Sequence, residues 1–192
     1  MLNGLRVLEL SAPSTMLAGL MLADLGADVV VIEPPGGAAG RRMEPLLGGR
    51  VGLDRSLTWP ALNRNKRSLT LDLHSPDGQD LLGRLAATAD AVIECAPARC
   101  AHLADAAQAH ALVHCTVRPF SAAGPKSGYA YTDRTLVAAA GVPLSTGDAD
   151  RAPLFIPVPQ AMLEAGGEAA IGVLAALAAR TRDGSSQHVQ VS

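Results

Sequence analysis

At 192 residues, with 48% hydrophobic and 18% charged side chains, the chain is long enough to bury one core and too apolar to stay disordered. A net charge of -2 and 3% aromatic content supply neither the cationic field nor the stacking platforms of a nucleic-acid-binding protein. Three cysteines fit a reducing cytoplasm better than a disulfide framework.

The start, Met1-Leu2-Asn3-Gly4-Leu5-Arg6, lacks a basic region followed by an unbroken apolar stretch, so it does not read as a secretory signal. The longest apolar or glycine run, Ala169 to Ala179, is too short to span a bilayer, and no membrane span is expected. Leu5 to Leu10 reads as a first strand. Ser14 or Thr15 then caps a helix that runs to about Leu25, with Gly26 as its left-handed terminator. Asp28 leads into Val29-Val30-Val31-Ile32, a β-branched run suited to a parallel strand buried on both faces. Strand, helix and strand make a βαβ unit. The turn Ser11-Ala12-Pro13-Ser14 contains no glycine, which removes the main requirement of a dinucleotide site even though Glu33 ends the second strand.

From Pro34 to Pro60 the chain is rich in Pro and Gly without clean periodicity and reads as a long connection. Arg41 and Arg42 lie within it, either as anion contacts or as solvated loop residues. Next comes the least ordinary stretch, Asn63 to Ser68, which sets Arg64, Lys66 and Arg67 within four positions. Like charges at that density call for solvent screening or for an anion among them. Ser68 to Leu73 then alternates as a strand with Leu69, Leu71 and Leu73 on one face, placing the cationic turn at the rim of a sheet.

Ser75-Pro76-Asp77 is a helix start, with Ser as cap, Pro at the first position and an acid near the positive dipole end; the helix runs to about Thr88. A strand follows over Asp90 to Glu94, a short helix over Ala101 to Ala109 and another strand over Leu112 to Val117. Cys95, Cys100 and Cys115 alternate with His102, His110 and His114, but none of the spacings is that of a metal site, so no metal is expected. Asp133 precedes a short apolar helix, Leu136 to Gly141. It reads either as a helix cap or as a carboxylate held at the mouth of the sheet, where the helix dipole keeps it ionised. Gln160 to Arg182 forms a long helix with small residues at Gly166, Gly167, Ala170 and Gly172. Asp183-Gly184 ends it, and Gln187 to Ser192 alternates as a last strand. The expected fold is therefore α/β: one domain over residues 1–192 with an open, Rossmann-like, mostly parallel sheet and helices on both faces, then the long helix and terminal strand.

Several of these stretches together resemble the class III CoA-transferases, a family that includes carnitine-type and formyl-CoA transferases and α-methylacyl-CoA racemases. The carriers are Leu5 to Leu10, Leu22 to Val30, Ile32-Glu33-Pro34-Pro35-Gly36-Gly37, Asn63-Arg64-Asn65-Lys66-Arg67-Ser68 with Leu71-Asp72-Leu73, Gly172 to Arg180 and Gln187 to Ser192. The resemblance covers the amino-terminal half of the family's usual chain. It implies coenzyme A as substrate with no tightly bound cofactor, an acyl-CoA and a small carboxylic acid as reactants, and a homodimer or a complementary second half as partner.

The same resemblance implies that Lys66, with Arg64, Arg67 and Arg42 beside it, meets the phosphates of coenzyme A. It further implies that Asp133 attacks the acyl-CoA carbonyl and passes through an aspartyl thioester that the second acid resolves. The alternatives are racemisation of an acyl-CoA by an aspartate and a histidine, His102 or His114, and a non-catalytic half that binds CoA beside a partner. The chain departs from the family pattern at Thr15-Met16, Glu94-Cys95-Ala96, Pro119-Phe120-Ser121 and Thr132, positions that shape the CoA channel.

Overall fold

The computed structural model describes residues 1–95, 103 and 111–192. Strands β1 (Arg6–Leu10), β2 (Asp28–Glu33), β3 (Arg67–Thr70), β4 (Ala91–Cys95), β5 (Val113–Val117) and β6 (Gln187–Val191) form one sheet in the order β3-β2-β1-β4-β5-β6. Every pairing is parallel, with Leu8 opposite Val30 and Val92, and Cys115 opposite Ile93 and Val189. The order reverses between β1 and β4, so the crossovers leave from opposite faces on either side of that point.

Alternation along the strands divides the core. Val7, Val29, Ile93, Val113 and Cys115 face helices α1 (Met16–Asp24) and α6 (Gln160–Asp183), whereas Leu8, Ile32, Val92 and Leu112 face α3 (Pro76–Ala86) and Leu103. The central strands are buried on both sides, which is why they read as unbroken β-branched runs. Helix α1 ends as expected, at Gly26 with φ +102°, and Ser75 caps α3 by accepting from the Gly78 amide. Helix α6 lies close against α1 because Gly166 has no side chain: a Cβ there would sit 2.9 Å from Leu17 Cβ and 3.3 Å from the Ala18 nitrogen. By length and hydropathy alone α6 is long and apolar enough to cross a membrane, unlike the shorter run picked out in the sequence. It buries Gly166, Ala169, Ala170, Val173, Ala176 and Leu177 against α1 and the sheet, as a core helix does.

Three expectations are corrected. The third strand stops at Thr70, and its Leu69 is 37% exposed because β3 lies at the sheet edge; only Leu71 and Leu73 turn inward. The long connection contains single turns at Ala39–Arg42 and Leu47–Gly49, and then helix α2 (Thr58–Asn63), whose Pro60 falls in the first turn where no amide is needed. Two short helices, α4 (Asp133–Ala139) and α5 (Val142–Thr146), follow β5, and the first begins at Asp133 itself, capped by Thr132. The expected helix over Ala101 to Ala109 lies outside the described residues, Leu103 excepted.

Candidate functional site

The cation-rich turn is neutralised from within. Lys66 Nζ donates to Glu9 Oε2 at 2.7 Å, to the Met16 carbonyl at 2.8 Å and to Asn63 Oδ1 at 3.0 Å, which takes up all three ammonium protons. The two side chains are 1% and 0% exposed, so this is a fully buried ion pair. Burial pushes Glu9 up and Lys66 down, each opposed by the other's charge. Gly19 makes room for the pair, since a Cβ there would fall 1.8 Å from Glu9 Oε2. Arg64 donates to Asp24 at the end of α1, at 2.9 Å, and Arg67 to Asp28 at the start of β2, also at 2.9 Å. Both arginines thus stand at the amino-terminal edge of the sheet. The carboxylates that settle the charge are Glu9, Asp24 and Asp28, all distant in sequence.

The carboxyl-terminal edge is built differently. A crevice of about 190 Å³ opens there over the reversal point, walled by the tips of β1 (Leu10, Ser11), β2 (Glu33, Pro34) and β4 (Glu94, Cys95) and closed by the turn after β3. In open parallel sheets this is where ligands bind, because the crossovers diverge and leave the strand ends uncovered. Glu33 anchors its floor. It accepts from Arg41 Nε at 2.6 Å and Nη2 at 2.7 Å, from Ser68 Oγ at 2.5 Å and from the Ala38 amide at 3.0 Å, while Arg41 also stacks over Trp59 and bonds Asp54. The Arg41 bonds hold Glu33 down to about 2 against the opposing effect of burial. A depressed carboxylate contributes stability that is present above its unfolded value, near 4.5, and is lost as pH falls toward 2. Urea midpoints are therefore expected to fall between pH 5 and pH 2.5, and the fall should be visibly shallower in Glu33→Gln.

Arg42 stands on this side of the sheet too, beside Arg41, but is not engaged by Glu33. Its Nη2 donates to the Gly36 carbonyl at 2.8 Å, two residues past the crevice wall. Cys95 closes the other wall, its Sγ 3.8 Å from Tyr131 Oη; burial and the neighbouring thiol both raise the Tyr131 phenol. Cys115, buried in the core, is pushed up to about 12 by desolvation. Cys100, His102 and His110 lie outside the described residues. His114 Nε2 pairs with Glu94 Oε1 at 2.7 Å, and its ring is 5.3 Å from that of His188 on β6.

Asp133 stands at the first position of α4, where its Oδ1 accepts the Met162 amide of α6 at 3.0 Å. It thereby ties the starts of two helices together. Along the chain it falls between Tyr131, whose hydroxyl meets Cys95 of the crevice wall, and Leu136, which lines a second and larger groove between α4 and α6. Ser11, Glu33 and His74 are not singled out as site residues by the sequence, and Glu94 and Cys95 enter it only as departures from the family pattern; the strand order shows that their tips converge.

Residues 2–192 match the family model described as CoA-transferase family III. The chain belongs to this family. It is 36% identical over 204 residues to the succinyl-CoA–D-citramalate CoA-transferase of Chloroflexus aurantiacus, covering 99% of this chain and 48% of that protein. It is 32% identical over 201 residues to the succinate–glutarate CoA-transferase of Agrobacterium fabrum, covering 100% and 50%. Among solved structures, a CaiB/BaiF family protein from Brucella suis superposes with a TM-score of 0.84 at 32% identity, over 97% of this chain and 51% of that one. As a family III chain it thus spans about half the length of these relatives.

Proposed function

We propose that the chain is the coenzyme-A-binding portion of a family III CoA-transferase, with the ligand entering the crevice over the carboxyl ends of β1, β2 and β4. The observation that carries this is the position of the crevice at the single reversal of strand order in an all-parallel sheet. At about 190 Å³ it takes one end of so large a ligand, the remainder lying along the outer edge where Arg42 stands. Arg42 is the phosphate partner in this reading. Lys66, Arg64 and Arg67 act on the fold instead of on the ligand.

In the same reading the thioester carbonyl lies between crevice and groove, beside Asp133. That carboxylate attacks the acyl carbon to form a mixed anhydride as CoA thiolate leaves; the thiolate then attacks the aspartyl carbonyl, giving an aspartyl thioester as the donor carboxylate departs. The acceptor carboxylate attacks this thioester and expels thiolate, which attacks the acceptor acyl carbon of the second anhydride to give the new acyl-CoA and free Asp133. Racemisation would need a histidine acting opposite Asp133; His114 is held by Glu94, and His102 lies outside the described residues. A partner, a second copy or a complementary half, supplies the remaining walls; Leu154, Phe155, Ile156 and Val158, between 42% and 58% exposed, are the surface it would cover.

Calorimetric titration with coenzyme A tests the placement. Arg42→Ala is expected to weaken binding about tenfold, the scale of one charge-assisted hydrogen bond, while the double variant Arg64→Ala/Arg67→Ala leaves affinity unchanged. Loss of binding in the double variant with none in Arg42→Ala would overturn it.

A further inference from the structure

Arg118 follows the last residue of β5, and its amide donates to the Val191 carbonyl of β6 at 2.8 Å, which fixes its backbone. The arginines Arg6, Arg41, Arg64, Arg67 and Arg180 each pair with an aspartate or glutamate. Arg118 is half-buried, yet among the described residues it has no carboxylate within ion-pair distance. None of its nitrogens is both buried and unbonded, so the guanidinium is open to the groove beside it, and its planar fork matches a carboxylate.

This group lines the groove between α4 and α6, a space of about 480 Å³, within the size range of small-molecule sites. Apart from Ser192 and two glutamates the other walls are apolar, with Phe120 from the turn after β5, Leu136 and Ala139 from α4, Ala165 from α6 and Val191 from β6. The two acids of the groove, Glu164 and Glu168, are both exposed and lie on the solvent side of α6. A cation among apolar walls with carboxylates at the rim selects one charge pattern: a single carboxylate inside, a hydrocarbon tail behind it, and no second negative charge at the mouth.

We propose that this groove binds an apolar-tailed monocarboxylic acid, its carboxylate on Arg118 and its tail along Phe120, Leu136 and Val191, and that Glu164 and Glu168 exclude dicarboxylic acids. The assignment deepens the CoA-transfer reading, on which it rests, by naming the class of acid that would exchange CoA at Asp133. It is tested without coenzyme A, so that failure of either idea is seen separately.

The experiment is titration of the full chain with octanoate and with glutarate, followed by calorimetry and by saturation-transfer NMR of the acid. Octanoate is expected to bind at least tenfold more tightly than glutarate, and Arg118→Met to weaken octanoate at least tenfold while circular dichroism is unchanged. Arg118→Lys should recover part of the loss, and Glu164→Gln/Glu168→Gln should narrow the gap between the two acids. No binding of octanoate, equal binding of glutarate, or octanoate affinity untouched by Arg118→Met would each overturn the proposal.

Discussion

Lys66→Ala is expected to lower folding stability by about 3–5 kcal/mol, the scale on which removal of one partner of a buried ion pair is felt. The alanine leaves Glu9, 0% exposed, with the Thr15 hydroxyl at 3.1 Å as its one remaining hydrogen-bond partner among the described residues, and supplies no counter-charge. Since a domain of this kind is held by only about 5–15 kcal/mol in all, such a loss brings the chain near unfolding at ambient temperature. Arg64→Ala and Arg67→Ala, whose partners are 39% and 36% exposed, should each cost no more than about 1 kcal/mol. The double variant Glu9→Gln/Lys66→Met removes both charges at similar volume and should regain most of the stability lost in Lys66→Ala. Urea unfolding of the four variants checks the series. A Lys66→Ala protein of wild-type stability would show that the pair does not hold the fold.

Asp133→Asn is expected to lower CoA exchange, measured with the chain and whatever partner completes it, by at least on the order of a thousandfold, because the covalent route closes when its nucleophile becomes an amide. The choice of asparagine matters. Asp133 Oδ1 accepts the Met162 amide at 3.0 Å, and an asparagine carbonyl can accept the same hydrogen bond, so the tie between α4 and α6 survives while the nucleophile is lost. Asp133→Ala breaks both. If Asp133 serves only as a tie, Asn will retain exchange and Ala will lose stability; if it is the nucleophile, both lose exchange and Asn keeps the melting temperature of the parent. Retained exchange in Asp133→Asn would dismiss the aspartyl route at this residue.

Much of the fold was legible because local chemistry and tertiary role agree. Gly26 terminates α1 in the left-handed conformation, Ser75-Pro76 opens α3, and Val29 to Ile32 is buried on both faces as its β-branched run implies. Where the two diverge, sequence reasoning failed. The alternation of Leu69, Leu71 and Leu73 suggested one buried face, but an edge strand has cover on one side only and Leu69 faces solvent. The partners of the cationic turn were hidden for a similar reason: its counter-charges, Glu9, Asp24 and Asp28, come from β1, α1 and β2, and nothing within the turn announces them. One signal was available. Glu9 sits in an otherwise apolar strand and Gly19 interrupts the helix above it, which together call for a buried cation. Of the crevice only Glu94 and Cys95 were legible, through the family pattern, because its residues converge only once the strand order reverses between β1 and β4.

That crevice is best tested through its own cysteine. Cys95 lines it and is partly exposed, whereas Cys115 is buried with its thiol pushed up to about 12, which makes the second an internal control. In alkylation with iodoacetamide followed by peptide-resolved mass spectrometry, saturating coenzyme A is expected to slow modification of Cys95 at least fivefold and to leave Cys115 unmodified throughout. Coenzyme A bound to the chain, as seen by calorimetry, with an unchanged rate at Cys95 would contradict the placement of the ligand over β1 and β4.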